Sequence, residues 1–106
     1  MVDFMGMMQQ AAELKSKMEA MQAELDSLEV EGTSGGGLVV VKLSGKGEMK
    51  GVRIDESLIK PSDKGIVEDL IVAAHADARR KADALLQEKM KAVTGGLPLP
   101  PGMNLF

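Results

Sequence analysis

Three glycines in a row, Gly35 to Gly37, follow Thr33 and Ser34 and run directly into a β-branched stretch. A glycine-rich run of this kind is one way to cradle a phosphate on backbone N–H groups. That chemistry needs a helix to start from the glycines, so that its N-terminal amides converge on the anion. Here a strand pattern follows instead, no Gly-Lys-Ser/Thr is present, and no helix is expected for nearly thirty residues. The glycines are therefore expected to supply the positive-φ positions of a tight hairpin.

Other candidate chemistries fail on residue type. His75 is the only histidine and there is no cysteine, so a conventional zinc site is absent and a serine-based triad would need a poised serine beside His75. The acids Asp55, Glu56, Asp63, Glu68 and Asp69 lack the spacing of a calcium loop, and acids near a helix start have a ready explanation in the helix dipole. No enzyme activity, metal, cofactor or small-molecule substrate is expected. What remains is cationic. "ARRKADALLQEKMKAV" carries Arg79, Arg80, Lys81, Lys89 and Lys91, and the first helical segment adds Lys15 and Lys17. Such residues neutralise phosphates without base-reading or aromatic partners. Their alternative is a solvated helix face.

These cations need elements to position them. Phe4, Met7, Ala11, Leu14, Met18, Met21, Leu25 and Leu28 recur at spacings of 3 and 4, an a/d seam that predicts a helix over Phe4 to Leu28. In a parallel dimer the flanking pairs would be Gln10–Lys15, Lys17–Gln22 and Glu24–Glu29, none of them attractive. Antiparallel packing, or packing on a second helix, fits at least as well. A period of two then takes over. Leu28 to Gly32, the run around Val39, Val41 and Leu43, and Met49 to Ile54 read as a three-stranded antiparallel meander. Val52 and Ile54 fall on one face of the third strand, Met49 and Arg53 on the other. Sheet edges this short need pairing, and a second copy of the chain is one way to provide it. Pro61 stops the turn-rich "DESLIKPSDKG", with Ser62 or Asp63 as a cap. A second helix follows from about Gly65 to Val93, with Val67, Ile71, Ala74, Ala78, Ala82 and Leu85 as its apolar stripe, widened by Ile66, Leu70 and Leu86. Gly95 and Gly96 stop it, and a Pro-rich tail over 97–106 is biased towards extended geometry. The fold class is α+β, as one domain over residues 1–106.

Charge is segregated along this frame. The net charge is −3, yet four cations against Glu48 give +3 over residues 42–53, and five against Asp83 and Glu88 give +3 over residues 79–91. A local basic surface is compatible with the acidic total. No apolar run approaches the ~20 residues that span a bilayer, and neither a signal peptide nor a membrane partner is expected.

Taken together, "MMQQAAELKSKMEAMQAEL", "VEGTSGGGLVVVKLSGKGEMKGVRID", "AAHADARRKADALLQEKMKAVTGG" and the closing "LPPGM" resemble the YbaB/EbfC family of bacterial nucleoid-associated proteins over nearly the full length. The resemblance implies a small cytoplasmic homodimer with tweezer-like protruding helices that binds double-stranded DNA and coats the nucleoid. Contact with the DNA backbone then falls to Lys15, Lys17, Arg79, Arg80, Lys81, Lys89 and Lys91. The competing expectation is a protein-interaction adaptor that uses the heptad seam and the tail without binding DNA.

Overall fold

The computed structural model describes residues 3–94; the expected glycine stop and the Pro-rich tail lie outside the described residues. Helix α1 covers Phe4–Ser27 and starts at Asp3, whose carboxylate accepts the Gly6 N–H at 3.0 Å. This satisfies one of the unpaired amides at a helix N-terminus. Strands β1 (Glu29–Ser34), β2 (Val39–Ser44) and β3 (Met49–Ile54) form the antiparallel meander in the order β1-β2-β3. Between β1 and β2, Gly35, Gly36 and Gly37 take φ of 60°, 69° and 97°. Those values are disfavoured for side chains with a Cβ, so the glycines act as a connector. Helix α2 covers Lys64–Thr94.

The sheet is organised by burial on one face. Val39, Val41 and Leu43 of β2 are fully buried against Ala74 and Ala78 of α2, with Leu58 closing one side. Strand register brings Val30, Gly32 and Ser34 of β1 to the same face. At Gly32 a Cβ would stand 2.1 Å from the Ala74 carbonyl oxygen and 2.2 Å from the Ala78 nitrogen. The backbone of α2 therefore rests directly on β1, which the small side chains of Ala74 and Ala78 also permit. Polar ties flank this contact. The Ser34 hydroxyl donates to the Leu70 carbonyl at 2.6 Å, and the Thr33 N–H donates to the Asp77 carboxylate at 2.9 Å.

Beyond Ala82 the second helix leaves the sheet and packs on α1. Met21, Leu25, Met90 and Val93 are buried there, with Leu14, Met18, Leu85 and Leu86 packed around them. Leu25 shares one groove with Ala82 and Leu86, whereas Lys17 and Met21 share another with Lys89 and Val93. The two helices are thus antiparallel, and the heptad seam finds its partner within the chain. Only its second half does so: Phe4 and Met7 stay 69% and 58% exposed.

Four local expectations need correction. Strand β1 runs on to Ser34 because Thr33 and Ser34 each find a partner on α2. An irregularity between Lys42 and Leu43 shifts the register, so Met49 pairs with Leu43 and joins the Val52 face rather than that of Arg53. Ser62 and Asp63 sit inside a 3-10 turn, Pro61–Asp63, that leads straight into α2 instead of capping it. Ile66 is exposed and does not widen the buried stripe.

Because the clash at Gly32 is with helix backbone, Gly32→Ala is expected to destabilise the fold by about 3 kcal/mol. Gly51→Ala, which meets nothing within 4 Å, should change stability by less than about 0.5 kcal/mol. Urea denaturation of both variants measures the contrast, and equal midpoints would contradict the contact.

Candidate functional site

The seven candidate cations fall into two groups along α2, separated by roughly 15 Å of helix rise. Arg79, Arg80 and Lys81 lie where α2 still covers the sheet. Lys89 and Lys91 lie on its second half, which packs on α1, the helix that carries Lys15 and Lys17.

The group beside the sheet is engaged with acids. Arg79 Nε is 3.6 Å from Asp83, one turn on. Arg80 Nη2 is 3.5 Å from Asp77, and Lys81 Nζ is 3.3 Å from the other oxygen of that carboxylate. Lys81 also donates to the Glu31 carbonyl at 2.8 Å, across to β1. Consecutive helix positions are about 100° apart, so the run does not form one basic face. Arg79 points to the turn between β2 and β3, where it lines a cleft with Lys46, Gly47, Leu25 and Leu86. Lys81 points to β1, and Arg80, 72% exposed, stands between them.

Asp77 is the hinge of that arrangement. Its pKa is held below the ordinary carboxylate range by the Thr33 backbone N–H first, and then by Lys81 and Arg80. One carboxylate therefore ties β1 to α2 and fixes two cations on the helix surface.

The group at the free end is different. Lys89 pairs with Glu24 of α1, which raises the ammonium pKa and clips the two helices together. Among the described residues Lys15, Lys17 and Lys91 make no ion pair within 4 Å, and all three are exposed. Lys17 and Lys89 line the same shallow groove between the helices.

Two cations outside the seven belong with these. Lys46 stands at the mouth of the Arg79 cleft and pairs with Asp26 at 3.2 Å. Arg53 is exposed on the sheet face away from α2, lining a hollow with Val40, Lys42 and Lys50. The +3 window over residues 42–53 was their signal in the sequence, but only the strand register puts Arg53 on one face with Lys42. Among the described residues no cluster of His, Asp or Glu is arranged to hold a metal ion. No described helix is long and apolar enough to cross a membrane.

Comparison with known proteins gives a consistent picture. The YbaB/EbfC DNA-binding family matches the chain over residues 1–97. A protein named nucleoid-associated protein from Rhodopseudomonas palustris (strain BisB5) is 68% identical over 105 residues, 99% of each chain. A protein of the same name from Bradyrhizobium sp. (strain BTAi1) is 66% identical over 104 residues, 98% of each. The fold also resembles the crystal structure of an uncharacterized protein from Helicobacter pylori, with a TM-score of 0.72 at 22% identity, covering 92% of this chain and all of that one.

The Asp77 carboxylate is depressed in the folded chain, so its contribution to stability is full above the unfolded Asp value of about 3.9 and is lost as pH falls through the lower folded value. Asp77→Ala is expected to melt below the parent at pH 7, with the gap closing below about pH 3.9. Thermal melts across that range check it. A gap that stays constant to pH 2 would mean that the charge of Asp77 is not what holds β1 to α2.

Proposed function

The chain belongs to the YbaB/EbfC DNA-binding family, and we propose that it works as a nucleoid-associated homodimer in the cytoplasm, contacting the backbone of double-stranded DNA through basic residues on its two helices. Residues 1–106 act as one unit in this reading. The observation that carries it is the set of uncompensated cations at the free end of the helix pair. A lysine with no ion pair neutralises a phosphate outright and releases the cation condensed on the DNA there. A lysine or arginine already held by an acid must first exchange one partner for another, and gains less. Lys15, Lys17 and Lys91 are therefore the principal contacts, with Lys89 beside them. Arg79, Arg80 and Lys81 contribute after Asp77 and Asp83 give way.

The acidic total does not oppose this. At ~0.1 M salt the screening length is about 10 Å, so acids around the sheet weigh little on a phosphate at the distal end of the helices. A second copy supplies the other arm. Strand β3 is an outer strand, with Met49 and Val52 still 50% and 41% exposed. Pairing there protects a strand edge and doubles every basic patch by symmetry.

Fluorescence anisotropy with a labelled duplex, repeated across salt concentrations, tests the assignment. Affinity should fall steeply with salt, by about 0.9 logarithmic units per phosphate contact. The variant with Lys15, Lys17 and Lys91 changed to Ala removes three contacts on each of the two arms, so it should flatten that slope by about 5 units and lose more affinity than the Arg79, Arg80, Lys81 triple. An unchanged slope in both variants would remove the helices from the interface.

A further inference from the structure

A cavity of about 490 Å³ lies where α1, α2 and the turn between β2 and β3 meet. Small-ligand sites span roughly 300–1,000 Å³, so it is large enough for a guest. The turn is seated directly on the end of α1. The Gly45 N–H donates to the Leu25 carbonyl at 2.9 Å, and a Cβ on Gly45 would stand 2.7 Å from that oxygen. The cavity thus has a fixed floor and two helical walls. Its interior is apolar: Met18, Met21 and Leu25 of α1 line it together with Ala82 and Leu86 of α2. Methionine side chains reshape readily around a guest, and from Met18 to Leu25 this wall runs about 10 Å.

Cations gather on the turn side of this interior. Lys46 and Arg79 both line the cavity, and a Cβ on Gly47 between them would stand 2.8 Å from Arg79 Nη1. The guanidinium therefore lies against the turn. It approaches Asp83 through Nε at 3.6 Å, too long for a hydrogen bond, and among the described residues Arg79 makes none. Its terminal fork of N–H donors is uncommitted. Lys46 uses one of its three donors on Asp26 at 3.2 Å, and Asp26 does not line the cavity. Exposed pairs of this kind contribute only ~0–1 kcal/mol and yield easily to a better acceptor. A planar carboxylate can take the arginine fork through both oxygens while Asp83 stays beside Nε.

We propose that this cavity binds a single-chain amphipathic carboxylate of medium length, with its alkyl chain between Met18, Met21 and Leu86 and its head on Arg79 and Lys46. A neutral hydrocarbon would leave the fork unanswered, and a small polar anion would leave the methionines facing water. The amphipath satisfies both. This inference does not rest on DNA binding.

The chain's own methionines report on it by methyl NMR: Met18, Met21 and Met90 line the cavity, whereas Met5, Met7, Met8 and Met49 are exposed elsewhere. Titrating the full chain with sodium decanoate, below its micelle concentration, should shift the first set saturably and leave the second in place. Arg79→Gln and Lys46→Gln change exposed side chains, so folding is not at risk, and each should weaken decanoate about tenfold. Asp83→Asn, which removes the competing acid, should tighten it. Decyltrimethylammonium, with the same chain and the opposite charge, should leave the cavity set unmoved. Unmoved cavity methionines, or drift of both sets without saturation, would overturn the proposal. So would equal shifts with the cationic amphipath or unchanged affinity in both Gln variants. Movement of Met18 and Met21 on raising protein concentration alone would give the cavity to a second copy and overturn it too. DNA plays no part in these readouts, so the proposed function stands or falls separately.

Discussion

The approach of α2 to β1 over Gly32 sets the rest of the structure. Removing one side chain lets a helix backbone lie on a strand, and Ala74 and Ala78 keep the neighbouring surface flat enough for it. Once α2 is seated there, its direction is fixed by Ser34 at one end and Asp77 at the other. Its second half must then project beyond a sheet only three strands wide. That projection is what α1 packs against. Two separate cores result, one under the sheet and one between the helices, joined by a single continuous helix. The candidate cations inherit their positions from this layout.

Electrostatics follow the same division. Around the sheet, chain segments from many parts of the sequence crowd together: Asp77 and Asp83 reach the cations of α2, and the Glu31 main-chain carbonyl accepts from Lys81. At the free end only two helices meet, and among the described residues Lys15, Lys17 and Lys91 have no acid within 4 Å, although Glu13, Glu19 and Glu88 share those helices. A net charge taken over the whole chain averages two unlike environments and describes neither.

Much of this architecture was legible in the sequence. The change from a 3–4 spacing to strict alternation marks α1 and β2, and the alanines of α2 announce a close contact. Periodicity is a local property and survives without tertiary information. What stayed hidden was long-range. The +3 counted over residues 79–91 does not foresee that Lys81 meets Glu31 or that Lys89 meets Glu24, because those partners come from elements dozens of residues away. The heptad spacing likewise gave no sign that α2 would stop short of half the seam. A single extra residue near Lys50 sufficed to turn Met49 to the other face, since strand alternation has no tolerance for an insertion. Gly32 is one of twelve glycines, and nothing in its neighbours sets it apart from the others.

The glycine connector has a practical side. Gly36 and Gly37 meet no other atoms within 4 Å of where a Cβ would stand, and Gly35 lies beside Leu70 in the first half of α2. This places the connector about 30 Å along the helix from Lys91. A fluorophore or affinity peptide spliced between Gly36 and Gly37 would therefore ride on the blunt end of the molecule, away from the lysines at the far end of the helix pair, and that turn is the natural handle for tethering or imaging.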